Sequence, residues 1–147
     1  MKKRIMIIII ALFIGTTSHA QAFDVHINPN KDSSFLSIYD SLTLFLMGPI
    51  EQEVADYYES ILTESPMLYP YQIDVQSVTR IDGFRSFSFR YQIEVEPVVG
   101  PHIAVGRDLV TLEVSPLVPS LVKVTQFNHL ETYKLPPQWE HIEKNRQ

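Results

Sequence analysis

The feature that most constrains this chain is a strict alternation over residues 86–96. Phe87, Phe89, Tyr91, Ile93 and Val95 take one parity, and Ser86, Ser88, Arg90, Gln92, Glu94 and Glu96 take the other. A period of two puts these sets on opposite faces of a β-strand, one dry and one wet. A slip of one residue would bury the charged set, so the register is firm. Such a strand needs neighbours for its backbone and a cover for its apolar face.

The neighbours are legible on both sides. Residues 71–81 read as a strand with Ile73 and Val75 on one face, and Asp82-Gly83 is a tight hairpin signal. Residues 97–107 read as a loop containing Gly100-Pro101-His102 and Gly106. A third strand comes next over 108–115 with Val110, Leu112 and Val114 inward; residues 116–120 turn back into a fourth strand, 121–129. The phase of that strand slips between Val124 and Phe127, which is the mark of a bulge.

The cover comes from upstream, where the period is 3.6. Asp32, Ser33 and Ser34 are candidate N-caps, and Phe35, Ile38, Tyr39, Leu42, Phe45 and Leu46 then share one helical face. Gly48-Pro49 is expected to stop this helix and open a second. In the second, Ile50, Val54, Tyr57, Tyr58, Ile61 and Leu62 recur on one side, Glu51 and Glu53 suit the first turn, and Ser65-Pro66 ends it. The expected fold class is α+β, with two N-terminal helices packed on a four-stranded antiparallel meander. Cystatin-like and NTF2-like folds have a comparable shape, an analogy that carries no function.

Lys2-Lys3-Arg4, the eleven-residue apolar run 5–15 and the small polar stretch ending Ala20-Gln21-Ala22 form the three parts of a secretory signal. Cleavage is expected after Ala22, with a competing site after Ala20. The run is too short to span a bilayer, which takes about 20 residues, so no stable membrane anchor is expected after cleavage. The expected location is secreted or otherwise extracytoplasmic. The expected organisation is a signal peptide over 1–22, an α+β domain over 23–131, and a polar C-terminal tail over 132–147, broken by Pro136-Pro137 and docked by Trp139.

Cysteine is absent, which excludes disulfides, thiolate metal sites, cysteine nucleophiles and a lipid-modified cysteine. Net charge is −5, and without Lys2, Lys3 and Arg4 it is −8. An acidic domain is expected to have no electrostatic footprint for nucleic acid and no basic patch for anionic lipid headgroups.

Several short stretches carry a resemblance to a known family. They are residues 49–58, Val99-Gly100-Pro101-His102, Gly106-Arg107-Asp108-Leu109-Val110-Thr111-Leu112, and Val122-Lys123-Val124 running into Phe127 and His129. In these the chain resembles DUF3888, a bacterial family of small exported proteins without an assigned activity, over about 49–131. The resemblance implies an exported protein of spore-forming Gram-positive origin. That family continues its Gly-x-His turn with Asn-Pro-Pro. Here Ile103-Ala104-Val105 stands in that place, a departure that bears on the chemistry of the turn.

In a meander the 82–83 and 116–120 turns share one end of the sheet. The opposite end then gathers Tyr69, Tyr71, Glu96, His102, Asp108 and His129. Two histidines with carboxylates suit a divalent ion such as zinc, with His102, Asp108 and His129 as candidate ligands. They equally suit a general base. The plain structural alternative makes His102 part of a turn, Asp108 a loop cap and His129 a solvated strand end. No spacing matches a known ligand frame, nucleophile elbow or phosphate loop, and no cofactor is expected. Glu51 and Glu53 lie on different sides of a helix and make poor acid–base partners. Tyr57-Tyr58 and the Phe87, Phe89, Tyr91 stripe read as core, with the lining of an apolar pocket as the alternative. Tyr69-Pro70-Tyr71 reads as a connector with buried rings, with a recognition patch as the alternative.

The function expected from these features is that of an exported non-enzymatic binding module. Its partner would be an envelope or extracellular protein, met by the 97–107 loop and the charged tail. One alternative is a small-ligand or divalent-metal-binding protein with its site at that end of the sheet. Another is a hydrolase using the same cluster.

Overall fold

The computed structural model describes residues 31–144. The expected export signal lies outside them. Helix α1 spans Ser34–Glu59, and Ser33 caps it: its backbone is extended and its hydroxyl accepts the Leu36 N–H at 3.1 Å.

The expected pair of N-terminal helices is a single helix, because α1 runs unbroken through Gly48-Pro49. A proline inside a helix costs about 3 kcal/mol in a lost hydrogen bond and a clash with the preceding turn. Against that stands a continuous apolar stripe across the proline. Leu46, Ile50, Val54 and Tyr58 are all buried in the core. Each such side chain contributes about 1.5–3 kcal/mol on burial, so keeping the two halves in phase outweighs the proline penalty. The stripe is narrower than its periodicity suggests, since Phe35, Ile38 and Phe45 remain exposed.

After a short 3-10 turn, Pro70–Gln72, the chain forms strands β1 (Ile73–Arg80) and β2 (Phe89–Val95). Two-residue strands β3 (Val98–Val99) and β4 (Ile103–Ala104) come next, then β5 (Gly106–Val114) and β6 (Val122–Thr132). The four long strands form one antiparallel sheet in the order β1-β2-β5-β6, and β3 and β4 form a separate hairpin. That hairpin lies within the segment read from sequence as a loop. Val98, Val99 and Val105 are buried there, so it is part of the core. The fold is therefore one helix against a four-stranded sheet, with a second, two-stranded sheet at one end.

Register places Val75, Ile93, Val110 and Phe127 in one row, and Val78, Tyr91, Leu112 and Val124 in another. This is the face that packs with α1 in the core. On β6 the face is set by a bulge. Leu112 pairs with Val124, but Thr111 pairs with Gln126, leaving Thr125 unpaired. The Thr125 hydroxyl is anchored on the Thr111 carbonyl at 3.1 Å. The extra residue reverses the parity of the rest of β6 and turns Phe127 and His129 inward.

The segment after β6 closes the core at the hairpin end. Leu135 and Ile142 are buried, and a 3-10 stretch, Pro137–Ile142, runs up to the second of them. The Ile142 carbonyl accepts the Thr63 N–H, and the Lys144 N–H donates to Ile61, each at 2.8 Å. Trp139 lies over Gly100, where an added Cβ would run into its ring. Among the described residues no helix is long and apolar enough to cross a membrane.

Candidate functional site

Asp108 is the third residue of β5, and register places it between Val95 and His129 on the inner face. It is fully buried, and a buried carboxylate must find partners. Two meet it. The Tyr58 hydroxyl, from the last turn of α1, donates to Oδ2 at 3.1 Å, and His129 Nδ1 lies 2.6 Å from Oδ1. On its far side His129 Nε2 lies 2.7 Å from the Thr132 hydroxyl. With Asp108 ionised, Nδ1 donates to the carboxylate and Nε2 accepts from Thr132.

The surroundings fix this line of groups. Tyr57 stacks on the His129 ring at 5.0 Å between centroids, and Tyr58 meets it edge-on at 6.2 Å. Gly106 leaves room for the Tyr58 hydroxyl, since a Cβ there would collide with that oxygen and with the Glu131 carbonyl. Burial pushes the Asp108 carboxyl above its ordinary range, and the hydrogen bonds from His129 and Tyr58 pull it partly back. Burial also pushes the Tyr58 phenol up, and the Asp108 charge adds to the effect.

Tyr69, Tyr71 and His102 form a second group. Tyr69 stacks on His102 at 4.7 Å and on Tyr71 at 5.6 Å, and the Tyr71 hydroxyl lies 2.5 Å from His102 Nδ1. The sequence suggested buried rings here, yet Tyr71 is 70% exposed. His102 sits on the β3–β4 turn with φ of 64°, in the left-handed region close to Gly100 at 50°. A non-glycine residue there costs roughly 1 kcal/mol.

Glu96 belongs to neither group. Its N–H donates to the Gln72 carbonyl at 3.2 Å and its carboxylate accepts the Tyr133 hydroxyl at 3.0 Å. The six residues expected to converge are thus divided among three local networks at one end of the sheet. Among the described residues no three His, Asp or Glu side chains gather to hold a metal ion. Two open grooves of about 350 and 420 Å³ run instead between α1 and residues 62–68, and none of the six lines them.

Sequence reasoning passed over Tyr58, Thr132, Gly106 and Tyr133 as members of these networks. The spacing of Tyr58 from Ile50 and Val54 places it on the buried stripe, a usable signal. Thr132 had none, because Leu130 is an unpaired residue between it and His129: Asp108 pairs with His129 while Arg107 pairs with Glu131.

A family model described as a protein of unknown function, DUF3888, matches residues 38–131. The chain belongs to the DUF3888 family. The match runs from the second turn of α1 to Glu131, one residue short of the end of β6, and so includes Tyr58, Asp108 and His129 and the Tyr69, Tyr71, His102 group. No curated protein and no solved structure matches the chain.

Proposed function

We propose that this DUF3888 protein is an exported, non-catalytic binding module that captures an envelope or extracellular partner through the hairpin end of its sheet. The observation that carries this reading is the Tyr69, Tyr71, His102 group. Three aromatic rings are held together at a turn whose backbone is left-handed at both Gly100 and His102, with Tyr71 turned to solvent. Exposed, rigid aromatic side chains offer large contact area at low entropic cost, and interfaces draw their strongest contacts from them. The basic, apolar and small segments at the N-terminus support export.

The hairpin cannot simply be exchanged for a flexible turn, because Val98, Val99 and Val105 belong to the core. The test therefore uses Tyr71→Ser and His102→Gly, which spare the core, and glycine at 102 tolerates the left-handed φ. Crosslinking on intact cells expressing the tagged protein, then mass spectrometry, should capture one dominant species from wild type and lose it in both variants. Equal capture by wild type and variants would overturn the reading.

A second reading rests on the Asp108, His129, Thr132 line, in which a buried carboxylate orients an imidazole whose other nitrogen meets an exposed hydroxyl. That is the order of groups in which a base activates a nucleophile for acyl transfer. Hydrolysis of an activated ester, abolished in Thr132→Ala and in His129→Gln, would establish it. Hydrolysis unchanged in Thr132→Ala would remove it.

A further inference from the structure

The end of the sheet remote from the hairpin is built from two turns. Phe89 pairs with Val114, so the β1–β2 and β5–β6 connections leave the same edge of the sheet. They carry Ile81, Phe84, Phe87, Leu117 and Leu121, all exposed: Phe84 to 95%, Leu117 to 83% and Phe87 to 70%. Apolar surface gathered in one place on a folded domain marks a site of contact with protein or lipid.

The tip is a built structure. The Ser88 and Ser115 hydroxyls, both buried, lie 2.9 Å apart and tie one turn to the other. Within the turns, Ile81 N–H donates to Ser88, Arg80 to the Ser86 carbonyl, Ser115 N–H to Leu121, and Leu117 N–H to the Ser115 hydroxyl. Arg85 and Leu121 are held at φ of 61° and 63°, left-handed conformations that cost non-glycine residues roughly 1 kcal/mol each. The fold imposes this presentation of apolar side chains against local preference.

Charge distinguishes the kinds of partner. Residues 80–90 and 113–123 carry four basic side chains, Arg80, Arg85, Arg90 and Lys123, against two acidic ones, Asp82 and Glu113. Over 31–144 as a whole there are eight basic and sixteen acidic residues. The overall acidity conceals a basic end with apolar turns at its point. We propose that this end docks on the surface of a membrane containing anionic phospholipid, with Phe84, Phe87, Leu117 and Leu121 entering the boundary between headgroups and acyl chains. Side chains on two projecting turns form a wedge. Lipid parts around a wedge, whereas a protein partner would need a matching recess for each turn. Arg80, Arg85, Arg90 and Lys123 are exposed and can meet headgroup phosphates, and the acidic remainder is repelled from the same surface, so the molecule stands with its hairpin end outward. Binding of this kind is reversible, set by the apolar area inserted together with attraction to anionic lipid. The inference is independent of what the hairpin captures.

The test is partition of the full chain onto lipid vesicles with and without anionic phospholipid. Wild type is compared with the double variant Phe84→Ser, Leu117→Ser, so any contribution from residues 1–30 is common to both. Both substituted side chains are exposed, so the thermal midpoint should be unchanged. The expected result is preferential binding to anionic vesicles, weakened about tenfold or more in the double variant. A second measurement locates the contact. Trp139 is the only tryptophan and lies at the opposite end. In Phe84→Trp, acyl-brominated lipid should quench an added emission component, while wild-type emission stays unquenched. Equal partition of wild type and double variant, or no quenching of the introduced tryptophan in vesicle-bound protein, would overturn the proposal. Loss of self-association in the double variant with unchanged vesicle binding would assign the tip to a second copy of the chain and equally overturn it.

Discussion

Asp108 Oδ1 and His129 Nδ1 lie 2.6 Å apart within a polar contact that joins the carboxyl end of α1, through Tyr58, to β5 and β6. Its balance of burial against hydrogen bonding sets how the Asp108 carboxyl contributes to stability as pH changes. Burial raises the Asp108 pKa above its ordinary 3.8. A carboxyl raised in the folded state contributes stability that is fully present below its unfolded pKa and is lost as pH rises through the folded value. Asp108→Asn removes that titration. The melting temperature of wild type minus that of Asp108→Asn should therefore fall as pH is raised from about 3.8. A difference that grows with pH would show that the fold prefers the carboxylate.

The phenol of Tyr58 completes the same contact from the helix. Tyr58→Phe removes the donor to Asp108 Oδ2 while keeping the ring. A buried acceptor left without its partner costs about 1–3 kcal/mol. Urea unfolding should show a loss in that range. Combined with Asp108→Asn the loss should fall short of the sum of the two singles, because the pair shares one interaction. Additive losses would mean that the two groups act separately.

Gly100→Ala tests how the C-terminal segment is held. The backbone there is left-handed and an added Cβ would run into the Trp139 ring. The ring must leave its seat, so the emission of the single tryptophan should shift to the red, with destabilisation of about 1–3 kcal/mol from overpacking and strain. An unshifted spectrum would show that the Trp139 seat is dispensable and that Leu135, Ile142 and the backbone hydrogen bonds to Ile61 and Thr63 hold the segment.

Much of this arrangement was legible in the sequence, and the remainder failed for identifiable reasons. The parity of Tyr91, Ile93 and Val95 states their burial directly, and the phase slip between Val124 and Phe127 marks the Thr125 bulge. Phe87 shares the same alternation yet is exposed, because β2 begins only at Phe89 and the preceding residues belong to the turn. Leu135 and Ile142 are single apolar residues in a polar stretch, without a period to announce that they are buried. Strand order brings Tyr69, Tyr71, Glu96, His102, Asp108 and His129 to one end. Their division depends on side-chain direction, which strand order does not carry: Asp108 and His129 face inward, while His102 stands on a turn. Net charge, an average over the chain, concealed the cations around Phe84 and Leu117.

Gly48-Pro49 is the clearest case of a local signal overruled by packing, and it yields a prediction with an unusual sign. Pro49 lies in the interior of α1, where it cannot donate to the carbonyl of Phe45, four residues earlier. Replacing proline by alanine in a helix interior is worth about 3 kcal/mol in propensity. The unfolded chain regains freedom when proline is removed, which offsets about 0.4–1 kcal/mol of that gain. Pro49→Ala should therefore stabilise the protein by about 2 kcal/mol in urea unfolding, with no loss of helix signal in circular dichroism. Destabilisation instead would show that the pyrrolidine ring, which is partly buried, contributes packing that alanine does not replace. The helix would then be continuous because of its proline and not in spite of it.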